Sequence, residues 1–209
     1  MPLLLKMAKL SSQVIRRLIL YHDLLSDYSE KGIAYVSSPQ LAALLKVDDS
    51  QVRKDILLCH KQGKSKVGYP IRDLKQDIER FLGLKKKKKA IVIGAGNLGS
   101  ALAKYADFND YGIEIVGLFD SDKNKIGQTL SGKRVYDMRK ISELISESGV
   151  EIAILTVPRA VAQSVADLLV KAKIKYIWNF TPTVLSLPDE VYVCHDNLMG
   201  NFLPFIYDK

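Results

Sequence analysis

The feature that most constrains the fold of this chain is a glycine-rich segment at residues 94–99, Gly-Ala-Gly-Asn-Leu-Gly, with the pattern G-x-G-x-x-G. It follows a predicted buried strand, Ala90–Ile93, and opens a predicted helix, Asn97–Ala106. The next predicted strand ends in an acidic residue, Asp120, 21 residues after Gly99. This context is typical of a dinucleotide-binding domain, because glycines let the backbone turn tightly and approach a pyrophosphate at a helix N-terminus.

The remainder of the 209-residue chain continues as an alternation of strands and helices. Strands are predicted at 113–119, 134–136, 151–156, 176–178 and 191–193, and helices at 138–148 and 160–172. Strands separated by helices indicate a doubly wound parallel sheet. We therefore predict an α/β fold with a Rossmann-type domain at residues 90–195, followed by a C-terminal tail at 196–209.

The predicted nucleotide site combines the glycine-rich segment with the loops after the later strands, since parallel strands end at one edge of the sheet. Asp120 can accept hydrogen bonds from both adenosine ribose hydroxyls, and its charge opposes a 2′-phosphate. This favours NAD(H) over NADP(H), a choice that the nearby Lys123 and Lys125 weaken. The predicted cofactor-binding residues are Gly94, Ala95, Gly96, Asn97, Leu98, Gly99, Asp120, Ser121, Thr156, Val157, Pro158, Asn179 and Phe180. The alternatives are a Rossmann-shaped domain that binds no nucleotide, core packing for Phe180 and capping of a backbone group for Asn179.

The first part of the chain has the helix pattern of a winged helix-turn-helix domain, which we predict to cover residues 1–84. Helices are predicted at 11–29, 40–46, 50–62 and 71–82. Ser38 is the predicted N-cap of the second helix, with Pro39 at its first position. Two short helices joined by a tight turn are typical of a helix-turn-helix, and residues 63–70 are predicted to form a small basic wing.

The charge of the chain is concentrated in this first part. Residues 1–89 hold 19 Lys and Arg against 9 Asp and Glu, a net +10, and residues 90–209 hold 12 against 14, a net −2, which together give the formal +8. A basic helix-turn-helix favours double-stranded DNA as the partner. The predicted DNA-binding residues are Gln51, Arg53, Lys54, Lys61, Lys64 and Lys66. An ordinary basic surface is the alternative, and the five lysines at 85–89 are predicted to be a linker or an additional phosphate contact.

The composition excludes several other classes of protein. No apolar run is long enough for a transmembrane helix and no signal peptide is recognised, so we expect a cytoplasmic protein without a membrane partner. Its two cysteines cannot form a disulfide scaffold, and its three histidines show no metal-ligand spacing.

An enzymatic role is disfavoured by the same sequence. The two loops predicted beside the nicotinamide contain no histidine or lysine to act as a general acid or base, and only 27 residues follow Pro182, too few for a substrate domain. We therefore expect a nucleotide-responsive regulator and no catalytic residues. A small NAD-dependent oxidoreductase and a DNA-binding dimer with a merely structural nucleotide site are the alternatives.

Taken together, these motifs resemble one bacterial family, the redox-sensing transcriptional repressors called Rex. The segments that carry the resemblance lie at 51–55, 67–69, 94–99, 119–120, 125–127, 151–158 and 179–180. The resemblance implies a homodimer with two winged-helix and two Rossmann domains. It also implies that the dimer binds a palindromic operator in its NADH-free or NAD⁺-bound form and releases it when NADH binds.

The resemblance implies a role in NADH sensing for three further residues. Tyr105 would lie near the nicotinamide, and Arg17 would link the DNA-binding domain to the cofactor domain. Asn197 stands where the family has an aspartate ahead of a long apolar helix that inserts into the partner subunit. Because the amide removes a charge, we expect an attenuated response to NADH. Gly200 and Pro204 in the tail cost about 1 and 3 kcal/mol in a helix interior, so we expect the tail to form that helix less readily.

Overall fold

The computed structural model describes residues 10–60, 63 and 67–207, and the contacts along the chain separate one unit, Met1–Lys85, from a second, Lys86–Lys209. Each unit has its own hydrophobic core. Within the described residues, no helix combines the length and apolar character that crossing a bilayer requires.

Helices and a short antiparallel ribbon make up the described part of the first unit. Its helices are α1 (Ser12–Glu30), α2 (Ser38–Leu45), α3 (Asp49–Ile56) and α4 (Ile71–Leu82), and its strands are β1 (Tyr35–Val36) and β2 (Tyr69–Pro70). Strand β1 pairs antiparallel with β2, and α2 packs against α3 across a turn of three residues. This is the winged helix-turn-helix arrangement that the sequence predicts.

The ends of α2 and α3 differ from the sequence-based expectation. Helix α2 is capped by Ser37 and not by Ser38, because the Ser37 hydroxyl accepts from the Gln40 backbone N–H while the Gln40 side chain accepts from the Ser37 N–H. Helix α3 ends at Ile56 and not near residue 62. The N–H groups of Leu58 and Cys59 donate only three residues back, so the chain tightens into turns.

The core of the first unit holds one face of each long helix. The apolar residues with 2% exposure or less come from all four helices and from β1: Leu18, Tyr21, Leu25, Val36, Leu41, Val52, Ile56, Ile71, Leu74 and Ile78. Burial of the Val52–Ile56 face turns the opposite face of α3 outwards, which leaves that helix available for contact with another molecule.

The second unit is built on a seven-stranded sheet. Its strands are β3 (Lys88–Ile93), β4 (Ile113–Asp120), β5 (Thr129–Leu130), β6 (Lys133–Asp137), β7 (Ile152–Leu155), β8 (Tyr176–Asn179) and β9 (Tyr192–His195). They lie in the order β5-β6-β4-β3-β7-β8-β9, and all neighbours are parallel except β5 and β6. The helices are α5 (Asn97–Lys104), α6 (Ile141–Ser148), α7 (Arg159–Lys171) and α8 (Leu198–Tyr207). The chain reverses direction across the sheet between β3 and β7, which is where ligands bind in doubly wound folds.

Several boundaries in this unit correct the sequence-based prediction. Strand β3 begins at Lys88, so Lys88 and Lys89 pair with β4 instead of belonging to a linker. Helix α5 ends at Lys104, and a separate 3-10 turn follows at Ala106–Asn109. The two-residue strand β5 is too short to leave a periodic signal in the sequence.

The C-terminal segment forms helix α8 although it contains Gly200 and Pro204, which corrects the expectation from those two residues. The Asn197 side chain stabilises its beginning, because Oδ1 accepts from the backbone N–H groups of Met199 at 3.1 Å and Gly200 at 3.2 Å.

Candidate functional site

A cavity of about 820 Å³ lies where the chain reverses across the sheet, at the carboxyl ends of its central strands. It is within the size range of small-molecule sites. Nine of the predicted cofactor-binding residues line it: Gly94, Gly96, Leu98, Asp120, Ser121, Thr156, Val157, Pro158 and Phe180. The structure thus brings together residues from four separate segments of the sequence. Ala95, Asn97, Gly99 and Asn179 are not among the lining residues.

Close packing at the turn after β3 explains why this segment needs glycine. Gly94 has φ +99°, and a Cβ at Gly99 would overlap the Gly94 carbonyl oxygen and lie 2.7 Å from Oγ1 of Thr156. The Thr156 hydroxyl shares its single hydrogen between the carbonyl oxygens of Ile93 at 2.9 Å and Gly94 at 3.0 Å. Thr156 therefore fastens the end of β7 to the glycine turn.

The N-terminus of α5 has the properties of an anion site. Gly96 is its N-cap, and no side chain caps this end of the helix. A Cβ at Gly96 would meet nothing within 4 Å, so the backbone there borders open space. Uncapped N–H groups at a helix N-terminus carry partial positive charge, which suits a pyrophosphate. The residues present therefore fit the phosphate portion of a dinucleotide.

Asp120 has more hydrogen-bond partners inside the protein than its place at the end of a strand predicts. Its Oδ2 accepts from the Ala95 backbone N–H at 2.8 Å and from Nζ of Lys125 at 3.2 Å, and its Oδ1 accepts from the Asp122 N–H at 2.9 Å. Burial opposes the charge, but the hydrogen bonds from Asp122, Ala95 and Lys125 outweigh it, so the pKa of Asp120 lies below its ordinary value. Three of about four acceptor positions on the carboxylate are used, which leaves room on Oδ1 for one ribose hydroxyl instead of two.

The other end of the cavity is apolar. Val157, Pro158 and Phe180 form its wall, in the loops where the sequence places the nicotinamide. Asn179 is 1% exposed, and its side chain instead holds the following loop together. Its Oδ1 accepts from the backbone N–H and hydroxyl of Thr181, and its Nδ2 donates to the carbonyl oxygen of Thr183.

A row of aromatic rings leads away from this apolar wall. Phe180 contacts Trp178 with ring centroids 4.8 Å apart, Trp178 contacts Phe108 at 6.0 Å, and Phe108 contacts Tyr105 at 5.3 Å. Tyr105 itself is 54% exposed and does not line the cavity. The structure therefore connects Tyr105 to the cavity wall through two intervening rings.

Several residues that line the cavity are not among the predicted cofactor-binding residues. The sequence places Lys125 near Asp120 only as a charge, and Met138 follows the end of β6, a position that the strand-end rule identifies. Four more share one face of α7 at helical spacing: Val161, Ser164, Val165 and Leu168. A face of this kind is indistinguishable by sequence from one that packs on the sheet.

The outward side of α3 carries the predicted DNA contacts that the structure describes. Arg53 and Lys54 are exposed, and the guanidinium of Arg53 forms an ion pair with Asp49 one turn earlier on the same helix. The predicted contacts Lys61, Lys64 and Lys66 lie outside the described residues.

Arg17 and Gln51 are joined through a third residue, Asp55, within the first unit. Arg17 donates to both carboxylate oxygens of Asp55, from Nε at 2.6 Å and from Nη2 at 2.9 Å. Nε2 of Gln51 donates to the same carboxylate at 2.8 Å. The bonds that the structure gives Arg17 therefore fasten α1 to α3.

No three His, Cys, Asp or Glu side chains within 10–60, 63 and 67–207 are grouped as a metal site would require. Burial raises the pKa of the Cys59 thiol to about 12, whereas Cys194 is exposed.

Two family models match this chain. A family model described as "Putative DNA-binding protein N-terminus" matches residues 9–56, and one described as "CoA binding domain" matches residues 85–183. The redox-sensing transcriptional repressor Rex of Treponema denticola is 43% identical over 188 residues, covering 90% of each chain. The chain belongs to the Rex family. The repressor Rex of Carboxydothermus hydrogenoformans is also 43% identical, over 193 residues that cover 92% of this chain and 93% of that protein.

Solved structures of this family share the fold over almost the whole chain. RSP in complex with beta-NAD⁺ and operator DNA superimposes with a TM-score of 0.87 at 35% identity, covering 95% of this chain and 92% of RSP. RSP in complex with beta-NADH gives a TM-score of 0.84 at 34% identity, covering 96% and 94%.

Proposed function

We propose that this chain is an NAD(H)-responsive transcriptional repressor that binds operator DNA as a homodimer and is released by NADH. The observation that carries the proposal is the pairing of a helix-turn-helix unit with a cavity whose glycine turn, uncapped helix N-terminus and acidic strand end fit a dinucleotide. Family membership supports it, because the relative RSP has been crystallised with beta-NAD⁺ and operator DNA and with beta-NADH.

Different residues of the second unit bind different parts of the nucleotide. Backbone N–H groups after Gly96 bind the pyrophosphate, and Asp120 accepts from the adenosine ribose and disfavours a 2′-phosphate. The apolar wall of Val157, Pro158 and Phe180 borders the nicotinamide ring and keeps water from it. The bound nucleotide acts as a signal, because its nicotinamide ring differs in charge and shape between the reduced and the oxidised form.

The first unit reads DNA through α3. Arg53 is released from Asp49 to pair with guanine, and Lys54 contacts phosphate or guanine. Exposed apolar side chains on α8, which include Met199, Phe202 and Ile206, support its burial against a second copy of the chain. A repressor acts where the DNA is, which in a bacterium is the cytoplasm.

We propose further that the chain is not an enzyme. Among the described residues, the titratable groups that line the cavity are Asp120 and Lys125, and they form an ion pair with each other. Neither is placed at the apolar end, where hydride transfer would need a general acid or base.

The test is operator binding followed by fluorescence anisotropy while NADH or NAD⁺ is titrated. We expect NADH to release the DNA and NAD⁺ to leave it bound. Equal DNA affinity with and without NADH would refute the regulatory function, and turnover of a hydroxy acid or aldehyde with NAD⁺ would favour an oxidoreductase.

A further inference from the structure

Helix α3 carries a buried carboxylate, Asp55, that makes no contact with solvent and cannot itself reach DNA. It is 0% exposed, and four hydrogen bonds converge on it. Two come from Arg17, one from the hydroxyl of Tyr21 at 3.0 Å, and one from Nε2 of Gln51 at 2.8 Å. Four donors match the acceptor capacity of a carboxylate, so the group is fully satisfied.

The charge of Asp55 dictates which end of the Gln51 amide faces it. Burial opposes the charge, but hydrogen bonds from Arg17, Gln51 and Tyr21 outweigh it, so the pKa of Asp55 is below its ordinary value. A carboxylate only accepts hydrogen bonds. The Gln51 amide must therefore turn its nitrogen towards Asp55, and an oxygen there would face another oxygen.

This bond uses one of the two amide hydrogens of Gln51. The second hydrogen and Oε1 are a donor and an acceptor, the pair with which glutamine matches N7 and N6 of adenine in the major groove. Gln51 is only half-buried, and it lies one turn before Asp55 on α3. Asp55 thus accepts one amide hydrogen of Gln51, and the other hydrogen and Oε1 remain for a base.

We propose that Asp55 is a positioning residue that fixes the Gln51 amide in the orientation that reads adenine. The preference for adenine at one position of each half-site then depends on a carboxylate that never touches the DNA. Arg17 and Tyr21 hold that carboxylate in place from α1. The proposal rests on the DNA-binding function proposed above and adds the residue that sets part of its base specificity.

The experiment measures base preference at every position by selection from a pool of randomised double-stranded DNA, with the full chain and its variants. We expect Gln51→Ala to lower the preference for adenine at one position per half-site by about tenfold. Asp55→Asn should lower it comparably, because an amide cannot accept all four hydrogen bonds and no longer fixes Gln51. The double variant should match Gln51→Ala alone, since the two residues act as one unit.

Tyr21→Phe is the matched control. It removes one hydrogen bond from the same carboxylate but leaves the bond to Gln51, so it should lower the unfolding temperature and keep the adenine preference. A second measurement does not depend on the folding of Asp55→Asn. Replacing that adenine by 7-deazaadenine, which lacks N7, should weaken binding of the unaltered chain by about tenfold and leave Gln51→Ala unaffected.

Three results would overturn the proposal: unchanged preference in Asp55→Asn, additive losses in the double variant, or equal binding of adenine and 7-deazaadenine by the unaltered chain. Loss of preference in Tyr21→Phe to the same extent as in Asp55→Asn would show that the cluster acts only through stability. If the unaltered chain enriches no sequence from the pool, the proposed function fails together with this inference.

Discussion

Two glycines at the start of α5, Gly96 and Gly99, should respond differently to the addition of one methyl group. At Gly99 the new Cβ would overlap the carbonyl oxygen of Gly94 and lie 2.7 Å from Oγ1 of Thr156. Both neighbours are held by the hydrogen bonds of Thr156, so α5 must move away from the sheet. Overpacking of this kind costs about 1–3 kcal/mol, and loss of the Thr156 bonds adds about 1 kcal/mol. We expect Gly99→Ala to destabilise the second unit by about 2–4 kcal/mol.

Gly96→Ala is the matched control, because a Cβ there meets nothing within 4 Å and the backbone has φ −82°. Such a change alters stability by less than about 1 kcal/mol. The methyl group would nevertheless occupy the open space beside the helix N-terminus, so NADH binding should fall sharply while the fold remains intact.

Trp178 makes both effects measurable, because it is the single tryptophan of the chain and contacts Phe180 in the cavity wall. Its fluorescence reports urea unfolding of the second unit, and energy transfer from it to NADH reports binding. The packing argument would be refuted if the Gly99→Ala variant unfolded at the same urea concentration as the unaltered chain. NADH binding of undiminished affinity by Gly96→Ala would refute the placement of the pyrophosphate.

Three further outcomes are expected. At pH 8 the native chain should react with a thiol reagent at Cys194 alone, because the raised pKa of Cys59 keeps the Cys59 thiol protonated. Two fast-reacting thiols in the native state would contradict this. Calorimetry should show that NADH binds more tightly than NADPH and that Asp120→Ala reduces this difference in affinity. Comparable affinities of the two nucleotides for the unaltered chain would exclude Asp120 as the selecting group. Asn197→Asp keeps an N-cap acceptor for α8 and adds a charge, so the ratio of DNA affinities without and with NADH should grow, and an unchanged ratio would exclude that charge from the switch.

Elements with strong local signals were predictable from the sequence. The alternation of apolar strands and helices predicts the Rossmann topology, and the glycine turn predicts the cavity position, because both follow from periodicity and backbone sterics. The helix boundaries that the sequence predicts incorrectly depend on single contacts. Ser37 caps α2 in a reciprocal pair of hydrogen bonds with Gln40, and Asn197 caps the start of α8.

Side-chain partners were less predictable than positions. The sequence places Asp120 correctly at the end of β4, yet gives no sign that Ala95 and Lys125 use much of its carboxylate. Helical spacing puts Gln51 near the outward face of α3, yet nothing local shows that Arg17, 38 residues earlier than Asp55, anchors the network. Such pairings are set by tertiary packing, which a window along the sequence does not contain.

The apolar wall of Val157, Pro158 and Phe180 is the surface at which the proposed site distinguishes NADH from NAD⁺. An apolar surface favours a neutral reduced ring over a cationic oxidised ring, because a charge loses more hydration on burial. If the nicotinamide binds there as proposed, that preference favours NADH over NAD⁺, but by itself it does not alter DNA binding. A ligand shifts a two-state protein only through unequal affinity for its two states, and full conversion needs about 5.5 kcal/mol of difference. If the switch acts through this wall, the wall must differ between the DNA-bound and DNA-free states. The aromatic row from Phe180 through Trp178 is the packed structure behind that wall, so a change in the wall requires these rings to repack.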